Sequence, residues 1–361
     1  MTADSIPVAE TEASVTIARR NNNFDALRIA AALCVIVGHS FILTGSATDS
    51  PWLGGVAIEY IGVSIFFVIS GYLITGSWER SHSVGQYVSS RALRIAPLLF
   101  LVILVSTFVL GPLATVLSKA EYFSSPQTWR YLINMVLLPA DGLPGVFGTV
   151  PYPNVVNGSV WTLRAEVICY VVVLVLGLLP RRIQLAGFVL FGALAIVLVV
   201  AGPVSIAGSN VSAAGGTWIY FAIGALVRLL LPRRLLRPLA AAVVLAVWLL
   251  VGWLVPSIAL YVTWIALPYI VLSFGLASTA VLHRAARFGD ISYGLYLWAF
   301  PVQQLTVQLL GPLPIPLDLL VVVPVTALLS FASWHLLEKR ALAFRFRLPF
   351  FKDEKATATS G

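Results

Sequence analysis

Long apolar runs, each about the 17–24 residues that a helix needs to cross roughly 30 Å of hydrocarbon, alternate along the chain with short polar connections. The pattern predicts ten membrane spans, at 24–44, 55–76, 95–112, 161–179, 184–202, 216–231, 237–255, 259–282, 290–310 and 317–338. A further apolar piece, 129–140, is too short to cross and reads as an interfacial or re-entrant segment. The expected fold class is therefore all-α, a polytopic transmembrane helix bundle. Residues 1–23 form an N-terminal tail, 24–340 the transmembrane domain and 341–361 a C-terminal tail, polar and frayed over 352–361. One long connection, 113–160, interrupts the rhythm. It holds Tyr122, Phe123, Trp129, Tyr131, Asp141, Phe147, Tyr152, Asn154 and Asn157, an aromatic content that argues for a functional rather than a disordered loop. No internal repeat is visible.

Composition agrees with this reading: 59% hydrophobic residues, 11% charged, and a mean hydropathy of +0.93 leave no room for a sizeable soluble domain. The first apolar run follows a polar, Asn-rich segment without a small-residue cleavage site, so no cleaved signal peptide is expected. Charge then orients the bundle. With the N-terminus in the cytoplasm, the inner connections hold Arg80, Arg91, Arg94, Arg181, Arg182, Arg233, Arg234, Arg237, Arg284 and Arg287. The C-terminal end adds Lys339, Arg340, Arg345, Arg347, Lys352 and Lys355, while the outer side holds Lys119, Arg130 and Arg164. That asymmetry predicts both termini inside and 113–160 outside. The net charge of +8 is thus a topology signal, and its scatter over separate loops excludes nucleic acid as a partner.

Cys34 and Cys169 lie within spans and read as packing residues. His39, His82, His283 and His335 show no metal-ligand spacing, so no metal is expected, and the chain has neither a nucleotide-binding glycine loop nor a GxSxG nucleophile. The informative stretch is FDALRIAAALCVIVGHS, residues 24–40. Arg28 and His39 stand eleven positions apart, so they share one helix face about 16 Å apart along the axis. Ionisable residues inside a span are costly and mark function by default. Two plainer readings stay open: Arg28 as a snorkelling anchor, and His39 as a helix–helix hydrogen bond.

The R-x10-H pattern of Arg28 and His39 resembles the first helix of the acyltransferase-3 family of integral membrane acyltransferases. GVSIFFVISGYLI (62–74) is similar to the family's second-helix segment, and RALRIAPL (91–98) carries its R-x-x-R. NGSVWTLRAEVICY (157–170) resembles its Trp-to-Glu stretch, and GDISYGLYLWAFPV (289–302) and HLLEK (335–339) resemble its last two helices. Each piece is weak alone; the ordered set, covering nearly all spans, is specific. Two positions depart from the pattern. Ala299 stands where many members have histidine, and Ser64 where many have an acid, for which Glu59 is a candidate substitute.

The resemblance implies transfer of an acyl group, acetyl by default, from cytoplasmic acyl-CoA as co-substrate to a hydroxyl acceptor. That acceptor is often a cell-envelope or exported polysaccharide, and the setting is the bacterial cytoplasmic membrane. No tightly bound cofactor is implied. Arg91 and Arg94 suit CoA phosphates, since guanidiniums three residues apart face one way, with Arg28 beyond them on the donor path. His39 is the expected general base, with a covalent acyl-histidine as the alternative. Glu166 lies at a similar depth and is expected to fix the His39 tautomer, a salt bridge to Arg164 being the plainer reading. Ser70 and Gly71 permit close helix approach, and packing is the first reading for both. Ser70, Trp161, Tyr293, Tyr296 and Trp298 are candidate cavity-lining residues. Two other functions stay in view: the same chemistry on a small or glycosylated metabolite, and a proton-coupled transporter, against which the missing inverted repeats count. Oligomeric state is not legible.

Overall fold

A computed structural model describes residues 22–81, 83–206, 209–279, 281–345 and 348. Residues 1–21 of the N-terminal tail, His82, Arg347 and the stretch 349–361, with Lys352 and Lys355, lie outside the described residues.

Each predicted apolar run folds as a helix, because in hydrocarbon a backbone polar group finds its partner only within its own segment. Ten long helices result among the described residues. They are α1 (Phe24–Leu43), α2 (Ile58–Ser81), α3 (Val84–Val105), α4 (Val160–Gly177), α5 (Arg181–Val200), α6 (Val211–Leu230), α7 (Pro238–Leu254), α8 (Ala259–Leu276), α9 (Ser292–Leu310) and α10 (Ile315–Ser333). Of the ten expected spans, eight qualify by length and apolarity among the described residues. The helix α7 is equally apolar but stops at 17 residues. In α9, buried Gln303, Gln304 and Thr306 dilute the apolar character.

Several edges move for local reasons. Residues 52–57, partly assigned to the second span, form a two-residue antiparallel hairpin pairing Trp52 with Ala57 and Leu53 with Val56. Its turn is Gly54–Gly55, both at positive φ, where a side chain would be strained. A second small ladder pairs Ser205 with Asn210 and Ile206 with Ser209. The third helix begins eleven residues before its expected edge, at Val84, where the Ser83 hydroxyl accepts from the Gln86 amide at 3.4 Å. Arg91 and Arg94 therefore sit two to three turns inside a helix, not at its mouth. At its far end α3 continues through a π turn, Ser106–Leu110, to Ala114.

The long connection is ordered. Short helices at Lys119–Ser124 and Pro126–Arg130, then a 3-10 turn at Tyr131–Val136, pack back on α3. The Tyr122 hydroxyl donates to the Thr107 carbonyl at 2.8 Å. Gln304 of α9 donates to the Tyr152 and Val155 carbonyls, and Asn157 donates to the Leu297 carbonyl. These bonds fix the loop against α9, beside the cavities described next.

At the centre, α2 packs on α1, α4 and α6. A Cβ on Gly71 would strike the Phe221 carbonyl, and one on Gly224 the Val68 carbonyl, so α2 and α6 meet backbone to backbone. Helices α2, α6 and α8 are largely buried, whereas α5 and α10 turn most of their surface outward.

Candidate active site

Two cavities flank α4. The first, about 100 Å³, is polar for its depth in the bundle. Arg28 enters from α1, Ser70 from α2, Arg91 and Arg94 from α3, Glu166 and Tyr170 from α4, and Tyr293 and Tyr296 from α9. The second, about 550 Å³, lies toward the other end of α1. His39 lines it together with Asp141, Tyr152, Asn157, Trp161, Arg164, Trp218 and Phe300. The face of α4 carrying Thr162, Glu166 and Tyr170 looks into the first cavity; the face carrying Trp161, Ala165 and Ile168 looks into the second.

In the first cavity Glu166 is held by two donors on one oxygen. Ser70 Oγ donates to Oε1 at 3.0 Å, and the Tyr170 hydroxyl, one turn along the same helix, donates to it at 2.5 Å. Ser70 is thus a cavity residue and not only a packing position. Glu166 does not meet His39, contrary to the expectation that it would set the imidazole tautomer. Similar depth in two helices leaves the facing direction open, and α4 turns Glu166 toward α2 and α3. The His39 ring stands edge-on to Phe300, centroids 5.4 Å apart, and its Nδ1 is buried without a hydrogen-bond partner among the described residues.

The two expected phosphate arginines have different surroundings. Arg94 donates to Asp290 Oδ2 at 2.7 Å, lies 3.9 Å from Glu338 Oε2 and stacks on the Tyr293 ring at 5.6 Å. It ties α3 to the connection before α9 and to the turn after α10. Asp290 also accepts from Ser292 Oγ at 2.8 Å. Burial pushes the Asp290 carboxyl up, but Arg94 and then Arg28 outweigh it and hold it below the ordinary aspartate range. Arg91, by contrast, lies over the Tyr170 ring at 6.0 Å, and its Nε is buried with no hydrogen-bond partner among the described residues. Arg28 has Asp25 at 3.5 Å.

Other expected residues fall elsewhere. Trp161 lines the His39 cavity, and buried Trp298 lines neither. Glu59 accepts from Ser50 Oγ at 2.9 Å in a recess separate from both cavities. The sequence reading passed over Tyr170, Asp290, Glu338, Thr162 and Phe300. Asp290 and Glu338 had a readable signal, an acid at the end of an apolar run. Tyr170 had a weaker one, its place one turn after Glu166.

Residues 21–335 match the family described as Acyltransferase domain. The chain is 31% identical over 339 residues to the O-acetyl transferase of Shigella phage Sf6, covering 90% of this chain and 96% of that protein. It is 28% identical over 361 residues to nodulation protein 10 of Rhizobium leguminosarum bv. viciae, covering 91% and 95%. No solved structure matches it.

Proposed function

The chain belongs to the acyltransferase-3 family, and on that footing we propose that it is an O-acyltransferase of the bacterial cytoplasmic membrane, moving an acyl group from cytoplasmic acyl-CoA to a hydroxyl of a cell-envelope or exported polysaccharide. Acetyl is the preferred group, after the name of the phage relative. Positive-inside counting places the Arg28 end of α1 in the cytoplasm and the His39 end toward the outside.

The observation that carries this reading is the pairing of two unlike cavities along one helix. The smaller one offers guanidiniums. Among the described residues Arg91 has a buried donor without a partner and Arg28 has one longer ion pair, so these two receive CoA phosphates inside the cavity, while Arg94 holds the helices in place. The larger cavity has the size and lining of a small-ligand site. Trp161, Tyr152 and Trp218 offer flat faces to a sugar ring, and Asn157, Asp141 and Arg164 offer polar groups to its hydroxyls.

His39 faces that space as the base. As the acceptor oxygen attacks the thioester carbonyl, a C–O bond forms and the C–S bond breaks. His39 takes the hydroxyl proton, and the departing thiolate takes one back. Glu166, kept in place by Ser70 and Tyr170, lines the donor cavity together with the arginines.

Ester analysis tests the proposal. Envelope and exported polysaccharides from cells with and without the protein are compared for O-acyl groups; loss of an ester is expected on deletion. Unchanged polysaccharide, with the ester missing instead from a secreted metabolite, moves the acceptor to the small-molecule class. No ester lost anywhere refutes acyl transfer.

A further inference from the structure

The two cavities are arranged end to end on the same two helices. Along α1 the lining passes from Arg28 to His39, and along α9 it passes from Ser292 and Tyr296 to Phe300, on successive turns of one face. Between the two cavities stands a layer made by Tyr296, which lines the first, and Phe300, which lines the second. The Tyr296 hydroxyl and Thr162 Oγ1 are hydrogen-bonded within it at 2.7 Å, joining α9 to α4. The Phe66 ring packs edge-on against Tyr296 from α2, centroids 5.6 Å apart. Phe300 forms its other side. Its ring sits where a Cβ on Gly158 would collide with it and stands edge-on to His39. Both side chains are almost wholly buried, Tyr296 at 8% exposure and Phe300 at 4%.

We propose that Tyr296 and Phe300 are specificity-determining residues of the transfer, an aromatic septum across one passage that keeps water on the His39 side away from the acyl thioester. The inference rests on the acyltransferase reading above. An acyl thioester exposed to a base and to water is hydrolysed: a water oxygen bonds to the carbonyl carbon, the C–S bond breaks, the base takes the water proton, and free acid and free thiol leave. Transfer differs only in which hydroxyl attacks, so selectivity depends on what reaches the carbon. The septum supplies that control. The acyl end of the pantetheine arm passes only when Tyr296 releases Thr162 and Phe300 turns from its seat over Gly158. The Tyr296 hydroxyl is the tether, and the Phe300 ring is the plug.

The test uses the purified full-length protein in lipid nanodiscs with acetyl-CoA, reading free thiol release without acceptor and ester formation with it. Wild type is expected to release thiol slowly without acceptor. Phe300→Ala is expected to release it several-fold faster, with acetate as product, and to form less ester per thiol released. Tyr296→Phe, which removes one oxygen and keeps the ring, is expected to shift the same ratio less; it is the variant to read if Phe300→Ala does not fold. A merely structural role would slow release and ester formation together and leave their ratio unchanged, and that result overturns the septum. An activity-free arm labels Ser70→Cys, in a background lacking Cys34 and Cys169, with an impermeant thiol reagent added from the His39 side. Protection with the septum intact and labelling with Phe300→Ala support it; equal labelling overturns it. If wild type neither releases thiol nor forms ester, the acyltransferase reading fails, and the labelling arm still decides whether the passage is closed.

Discussion

His39 and the arginines of the smaller cavity make separable predictions at the scale of single residues. His39→Ala is expected to lower acyl transfer by about 10²–10⁴, the usual cost of losing a general base, with expression and membrane insertion unchanged. Wild-type ester content at matched protein level would falsify His39 as the base. The two arginines of α3 should part company. Arg91→Lys keeps the charge and loses the planar fork, so calorimetry should show weakened acyl-CoA binding with an unchanged melting temperature. Arg94 is embedded between Asp290 and Glu338, and breaking that set is expected to appear as lost stability. Asp290→Asn should cost roughly 1–3 kcal/mol, read by thermal melting in detergent. Its sign with pH follows from the lowered carboxyl pKa. The wild-type advantage is complete above the unfolded value near pH ~3.9 and is lost only as pH falls through the lower folded value. A melting difference that vanishes already at neutral pH would contradict the pairing.

Among the elements, the contact between α2 and α6 sets how the bundle closes. Membrane helices gain little from apolarity when they associate, so close backbone approach and dispersion carry the contact. Gly71 faces the Phe221 carbonyl and Gly224 faces the Val68 carbonyl, with no space for a Cβ at either position. Gly71→Val should force the helices apart and cost about 1–3 kcal/mol or more, appearing as less monodisperse protein on size exclusion. Because Ser70 precedes Gly71 and grips Glu166, the same change should also reduce donor binding. A variant as stable as wild type would mean that α6 shifts freely, and the close-packing account would fall. Helix existence and most helix edges were legible from hydropathy. The early start of α3 was not, because Val84–Arg94 is amphipathic and not apolar, and its helicity depends on the Ser83 cap and on contacts made by Tyr87 and Arg94.

For the whole molecule, the charge asymmetry predicts which way the passage points. Cysteine placed at Asn154 should react with an impermeant reagent from outside intact cells, and cysteine placed at Arg234 should not. The reverse pattern would turn the donor cavity outward and remove its access to cytoplasmic acyl-CoA. By itself the sequence determined the class of the protein, its apolar helices, and the placement of Arg28 and His39 eleven positions apart within α1. These follow from local quantities, namely run length and residue spacing. Only the tertiary structure decided that Glu166 pairs with Ser70 and Tyr170 and not with His39, that Arg94 is caged while Arg91 keeps a donor without a partner among the described residues, and that Tyr296 lines one cavity while Phe300 lines the other. The physical reason is that hydropathy marks a residue as inside the membrane without saying which neighbour its helix turns toward. In lipid that choice is made by close packing and by the few polar partners that meet across helices, which are properties of the assembled bundle.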